Sequence, residues 1–139
     1  MTRTIHIALY RGRSIVSGCI RWISWGEYSH AAIVLPEEDG IMFESWDGVG
    51  VRLEKSISDG HSAGTKVDVF SLMVDDLQYD VIVKALQSQI GKDYDYLGVF
   101  RFVPFFRLFL SGKPSKSEQG RWFCSEYICW ALNKAGVNL

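Results

Sequence analysis

The chain has 139 residues, a formal net charge of −1 and a hydrophobic fraction of 47%. This length suits a single domain, residues 1–139, with one core, and the balanced charge argues against a broad basic face for nucleic acid. Three scattered cysteines form neither a disulfide framework nor a paired-cysteine zinc site. No apolar run reaches the ~18 residues that span a bilayer, and the first residues do not resemble a signal peptide, so we expect a cytoplasmic protein.

Short apolar or alternating runs predict strands, and runs with helical periodicity predict helices. In chain order, the predicted strands are 5–10, 29–35, 41–46, 51–54 and 66–73. The predicted helices are 14–24, about 76–90, and 121 to about 135. This mixture predicts an α+β fold in which an antiparallel sheet of about four to six strands packs against helices. Strand 29–35 is apolar on both faces after its histidine, which predicts a central position in the sheet.

The last predicted helix carries a cysteine near its start, in the sequence RWFCSEYICWA. Cys124 shares an apolar face with Tyr127, Ile128 and Ala131, so its side chain is expected to point into the domain. The helix dipole lowers the pKa of a thiol at this end, which favours a nucleophile. The alternative is a buried structural cysteine. Cys19 lies on the packing stripe of helix 14–24 and is interpreted as a core residue.

A cysteine nucleophile needs a base within hydrogen-bond reach. The chain has three histidines. His6 lies inside a strand, and His61 lies in the glycine- and serine-rich loop 58–65, where we expect it to be solvated. His30 opens the central strand beside turn residues, where a side chain can be both held and reached. It is therefore the candidate base.

The turn after the His30 strand tests this assignment. If Leu35 pairs with Ile41, Ala32 lies opposite Glu44, and His30 and Glu44 share one sheet face as diagonal neighbours about 7–8 Å apart. A carboxylate in an apolar face is costly unless it is paired, and the imidazole would supply the partner. A register slip of one residue would put Glu44 on the other face. The alternative is an edge strand with Glu44 directed to solvent.

Four short motifs now form a recognisable order: YSHAAIV at 28–34, FES at 43–45, GKDYDYLG at 91–98 and FCSE at 123–126. In this order they resemble the circularly permuted branch of the NlpC/P60 (papain-like) superfamily, which includes YiiX-like and lecithin:retinol acyltransferase-like members. The resemblance implies a permuted papain-like fold. The third motif departs from the family's G-x-P-Y-x-W-G-G segment through Asp93, Tyr96 and Leu97.

The resemblance implies acyl transfer through a thioester, with no cofactor. Cys124 would be the nucleophile, His30 the base and Glu44 its orienter, and Tyr94 would lie near the sulfur as a candidate oxyanion donor. The implied substrate is a peptide amide, typically from the cell wall, or a lipid ester or amide. Two alternatives stay open: a non-catalytic lipid- or peptide-binding module of the same fold, and a metal site formed by Cys124, His30 and Glu44.

The stretch 99–110 contains five phenylalanines and two arginines around a central proline. This composition fits a segment in contact with a membrane surface, or a greasy substrate wall. The alternative is a core helix broken at Pro104. The stretch therefore adds a candidate lipid contact to the predicted peptide or lipid acyl substrate.

Overall fold

The computed structural model describes residues 1–13, 17–18, 21, 26–94, 121–122 and 124–137. Five strands form one antiparallel sheet in the order β4-β3-β2-β1-β5. The strands are β1 (Thr2–Arg11), β2 (His30–Leu35), β3 (Ile41–Trp46), β4 (Gly50–Glu54) and β5 (Lys66–Asp75). The remaining described elements are α1 (Asp76–Ser88), β6 (Asp93–Tyr94), β7 (Arg121–Trp122) and α2 (Cys124–Lys134). The predicted α+β class, with an antiparallel sheet packed against helices, is confirmed.

The sheet places β2 at its centre, as predicted, and every residue from 31 to 35 is buried. β1 and β5 are longer than their apolar patterns predict. They pair with each other from Thr2 opposite Asp75 to Arg11 opposite Lys66. Because backbone hydrogen bonds do not depend on side-chain type, this pairing extends both strands past the apolar positions.

The two faces of the sheet differ in what covers them. Odd-numbered positions of β1 and β2 pack under the helices in the main core. Even-numbered positions face a smaller apolar cluster, formed by Ala8, Tyr10, Ala32, Val34 and Met42. The main core includes Ile5, Ile33, Leu35, Phe43, Tyr79, Ile82, Leu86, Tyr127, Ile128, Ala131 and Leu132. His30 and Glu44 are even-numbered positions and therefore belong to the side of the smaller cluster.

α1 begins with a capping box. The Gln78 backbone N–H donates to Asp75 Oδ1 at 2.8 Å, and the Asp75 N–H donates to Gln78 Oε1 at 3.1 Å. This reciprocal pair satisfies two of the amides that a helix start leaves open. The helix was predicted to run to about residue 90, and α1 ends slightly earlier, at Ser88, with Ile90 47% exposed. The chain then turns through Gly91, whose φ is +87°.

Replacing Asp75 by alanine is expected to lower the free energy of unfolding by about 1 kcal/mol, because the Gln78 amide loses its acceptor. Urea denaturation followed by circular dichroism measures this. Asp80→Ala is the matched control, since it removes the same charge from an exposed position of the same helix, 4.0 Å from Arg3. An equal loss in both variants would contradict a capping role.

α2 starts later than predicted. Arg121 and Trp122 pair in parallel with Asp93 and Tyr94, so these two residues are extended and the helix begins at Cys124. The predicted start at residue 121 is therefore wrong. The pairing brings β6 against the residues that lead into the helix. Tyr94 is consequently held close to the start of α2.

The predicted end of α2 at Gly136 is confirmed. Gly136 has a φ of +72°, which favours glycine. The Val137 N–H donates to Leu132 O and the Gly136 N–H to Asn133 O, both at 3.0 Å. These two bonds form a Schellman motif. The helix is thus fixed at both ends, and its first residue is the candidate nucleophile.

Several predictions concern residues outside the described part of the chain. They are most of helix 14–24 with Cys19, the end of the 91–98 motif, the aromatic stretch 99–110 and the loop 111–120. Within the described residues, no helix has both the length and the apolar character needed to cross a membrane.

Candidate active site

The β2–β3 hairpin brings His30 and Glu44 together. Leu35 pairs with Ile41 and Ala32 with Glu44, so the predicted register is confirmed. Glu44 Oε2 lies 2.5 Å from His30 Nε2, and the Glu44 side chain is 0% exposed. Glu44 therefore does not point to solvent.

Cys124 meets this pair at the start of α2. Its side chain is buried, and the His30 ring is close enough to interact with the sulfur and lower the pKa of the thiol. Because Glu44 occupies Nε2, the ring nitrogen left for the sulfur is Nδ1. The backbone amides of Ala31 and Ser125 also favour the ionised sulfur. The thiol, the imidazole and the carboxylate are thus neighbours in that order, with a hydrogen bond between His30 and Glu44.

The electrostatics of the site favour a thiolate–imidazolium pair. Burial disfavours ionisation of the Cys124 thiol, but the His30 hydrogen bond and charge, with the amides of Ala31 and Ser125, outweigh it and lower the pKa. For His30, burial lowers the pKa, but the bonds to Cys124 and Glu44 raise it to about 9. A proton therefore resides more readily on the ring than on the sulfur.

Glu44 stays ionised despite its burial. Burial raises the pKa of this carboxyl, yet the hydrogen bonds from His30 and Arg52, with the nearby His61 ring, whose Nε2 lies 3.7 Å from Oε2, lower it to about 2. Arg52 Nε donates to Glu44 Oε1 at 2.8 Å, and Nη2 lies 2.6 Å from the same oxygen. Each carboxylate oxygen thus has its own partner, since His30 takes Oε2.

His61 corrects the sequence-based expectation of a solvated loop residue. Its side chain is only 8% exposed and stacks on the Tyr10 ring, with ring centroids 3.8 Å apart. Trp46 packs edge-on against it at 4.8 Å. The loop is held over the site because the Tyr10 hydroxyl donates to Ile57 O at 2.8 Å. A flat aromatic ring on β1 therefore buries a residue that its loop composition would expose.

Tyr94 lines a cleft beside His30. This cleft has a volume of about 240 Å³, and its lining residues include His30, Trp46, His61 and Tyr94. Tyr94 itself is 8% exposed. The structure thus brings all four predicted site residues into one region. His30 and Tyr94 line the cleft, and Glu44 and Cys124 lie next to His30.

Neither a scan of protein-family models nor a search of the curated proteins finds a match to this chain. A chemical role for the site therefore depends on the site's own geometry. That geometry is a buried thiol at a helix start, next to an imidazole whose Nε2 contacts a buried carboxylate. Such a chain can activate a sulfur nucleophile and move its proton.

A metal is the competing use of these residues. Among the described residues, His30, Glu44 and His61 have ligand atoms within 4.8 Å of one another. Cys124 is not in this group, unlike in the metal set considered from the sequence. Two imidazoles and a carboxylate suit a zinc ion. A divalent cation here would have to displace the short bond between His30 and Glu44, next to the fixed charge of Arg52.

Sequence reasoning missed Arg52 and His61. The Arg52 signal was present, because the turn between Trp46 and Gly50 sets a register that puts Glu44 directly opposite Arg52. The same hairpin arithmetic that connected His30 with Glu44 would have found it. His61 had no such signal, since its position depends on packing between a loop and a distant strand.

Proposed function

We propose that this chain is a cysteine hydrolase or acyltransferase with a permuted NlpC/P60-like (papain-like) fold. Cys124 is the nucleophile, His30 the general base and acid, and Glu44 the residue that orients His30. The observation that carries the proposal is a buried sulfur that interacts with His30, whose Nε2 lies 2.5 Å from a fully buried carboxylate. The order of the elements, with the His–Glu hairpin before the cysteine helix, supports the permuted fold.

The proposed reaction has two steps. The Cys124 thiolate attacks the acyl carbon, and the His30 Nδ1 proton goes to the leaving amine or alkoxide as a thioester forms. A water or another acceptor then loses its proton to His30 Nδ1 and attacks the thioester, which releases the thiolate. The backbone N–H of Cys124 and the Tyr94 hydroxyl are the proposed donors to the oxyanion.

The cleft favours a peptide as the acyl donor. Besides the aromatic residues, polar side chains line it, including Arg13, Asp47 and Ser62, all of them exposed. Charged and hydroxyl groups suit the amides and termini of a peptide better than a long acyl chain. A lipid acyl donor is the second substrate class, and it would draw on the proposed membrane-surface contact through 99–110.

Intact-protein mass spectrometry tests the proposal. The protein is mixed with a panel of peptide and lipid acyl donors, and we expect a covalent acyl adduct that maps to Cys124. Labelling of the free enzyme with iodoacetamide should likewise be fast at Cys124 and slow at the other two cysteines. No adduct with any donor, together with equally slow labelling of all three thiols, would favour a non-catalytic binding module.

The pH dependence of kcat/KM should follow the ion pair. Its acid limb reports formation of the thiolate and should lie below the ordinary thiol pKa, because His30 lowers the pKa of Cys124. Its alkaline limb should fall as pH rises through about 9, where His30 loses the proton that the leaving group needs. The measurement is kcat/KM from pH 4 to 10, about the whole range in which the pair titrates. A rate that keeps rising above that pKa would contradict a role for imidazolium.

A further inference from the structure

Arg52 lies directly opposite Glu44 on the neighbouring strand, β4. Its guanidinium contacts Glu44 Oε1 through both Nε, at 2.8 Å, and Nη2, at 2.6 Å. The Arg52 side chain is 19% exposed, while the Glu44 side chain has no exposed surface. The pair is thus a charged contact in the interior, where an uncompensated charge is costly.

Three neighbours hold the guanidinium in place. It lies over the Trp46 ring at 4.3 Å from the ring centroid, and Nη1 contacts Glu54 Oε1 at 3.1 Å. The loop closes against it at Gly60, whose φ is +75°, and a Cβ at this position would come within 2.4 Å of Nη2. A side chain fixed on several sides fits a positioning role better than a loose surface charge does.

The two residues that form hydrogen bonds with Glu44, His30 and Arg52, differ in what happens to them during the proposed reaction, on which this inference rests. His30 is charged in the resting enzyme and neutral once its proton has left with the leaving group. Arginine side chains do not give up their proton in proteins, so the charge opposite Glu44 on β4 takes no part in the proton transfer. We propose that Arg52 is the positioning residue that keeps Glu44 ionised and aimed at His30 Nε2 throughout the catalytic cycle.

Charge balance explains why this matters in the thioester. In the resting site, the charges of the thiolate, the imidazolium, the Glu44 carboxylate and the Arg52 guanidinium sum to zero, and the partly exposed Glu54 carboxylate on Arg52 Nη1 adds one negative charge that does not change during the reaction. In the thioester the thiolate and imidazolium charges are gone, and Glu44 and Arg52 still cancel each other. Without Arg52 the thioester would leave a lone buried carboxylate, which takes up a proton instead.

That proton would reverse the tautomer of His30. An ionised Glu44 accepts from Nε2–H and leaves the Nδ1 lone pair free to take a proton from the attacking water. A protonated Glu44 donates to Nε2, so the ring carries its hydrogen on Nδ1 and cannot act as that base. Loss of Arg52 should therefore slow breakdown of the thioester more than its formation.

Arg52→Met tests this, with Arg52→Lys as the variant that keeps the charge. Arg3→Met is the matched control, because Arg3 pairs with Glu37 at the surface, with Nε to Oε2 at 2.7 Å. We expect Arg52→Met to lower kcat about tenfold to hundredfold, as the loss of a side chain that orients a functional residue typically does. The thioester should accumulate, and the substrate affinity should stay nearly unchanged. Arg52→Lys should recover most of the rate, and Arg3→Met should match the parent.

A measurement without substrate separates this inference from the proposed function. In a Cys124→Ala background, nitrogen-15 NMR of the ring reports the tautomer of His30. We expect hydrogen on Nε2 with Arg52 present and a shift toward Nδ1 in the Arg52→Met variant. This shift would support the inference even if no acyl donor is ever turned over. An unchanged tautomer, or parent-like thioester breakdown in Arg52→Met, would overturn it.

The double variant Glu44→Gln/Arg52→Met covers the case in which Arg52→Met alone does not fold, because it removes both buried charges together. If Arg52 acts through the charge of Glu44, adding Arg52→Met to Glu44→Gln should cost less than about threefold in kcat, since the two effects are not independent. A full additional loss would show that Arg52 acts on something other than Glu44, and would overturn the inference.

Discussion

If the proposed function is correct, Cys124→Ala is expected to abolish thioester formation and to lower turnover by about 10⁴-fold or more, as loss of the nucleophile does in acyl-transfer enzymes. The reason is that the replacement removes the attacking atom itself. The fold should persist, because His30 keeps its bond to Glu44 and the helix remains capped at Gly136. Intact-protein mass spectrometry and single-turnover kinetics measure the loss, and circular dichroism checks the fold.

Cys129→Ala and Cys19→Ala are the controls. Cys129 is exposed and lies five residues after Cys124, about 140° around the helix, so it cannot share the site. Both controls should keep turnover. Turnover that survives in Cys124→Ala would rule out a cysteine mechanism.

Glu44→Ala is expected to lower the free energy of unfolding by about 3–5 kcal/mol, as the loss of one partner of a buried ion pair typically does. The substitution removes the Glu44 carboxylate that the Arg52 guanidinium contacts. It also leaves a cavity, because the Glu44 side chain has no exposed surface. Activity should fall as well, since His30 loses the bond that fixes its ring. Urea denaturation measures the stability change.

Glu37→Ala is the control for Glu44→Ala. Glu37 also pairs with an arginine, Arg3, at 2.7 Å, but its side chain is 41% exposed. Exposed pairs contribute about 0–1 kcal/mol, so the control should unfold almost as the parent does. Similar losses in the two variants would mean that burial of Glu44 carries no special weight.

The His30–Glu44 part of the site could be predicted because it depends on local rules. The five-residue turn fixes the register of the hairpin, and the two-residue periodicity of strands then fixes which side chains share a face. The position of Cys124 on an apolar helix face was also readable, since helix periodicity and the terminal glycine are local signals. The interaction between Cys124 and His30 could not be derived from local patterns, because it joins segments far apart in the chain.

The parts that sequence reasoning missed depend on tertiary contacts. α2 starts at Cys124 and not at the predicted residue 121, because Trp122 in β7 pairs with Tyr94 in β6. His61 is buried because its loop packs on Tyr10. Neither contact leaves a periodic trace, since each joins segments far apart in the chain. Arg52 is different, because the short turn between Trp46 and Gly50 fixes its register opposite Glu44, which is a local signal.

The order of the elements along the chain has a consequence during synthesis. The ribosome completes β2, β3 and β4, with His30, Glu44 and Arg52, well before it reaches α2. At about 5–20 residues per second, Cys124 follows Glu44 by roughly 4 to 16 seconds. A nascent chain can therefore bring His30, Glu44 and Arg52 together before Cys124 has been synthesised. The Cys124 side chain can then pack against a hairpin that has already formed, and it does not remain exposed without its partners.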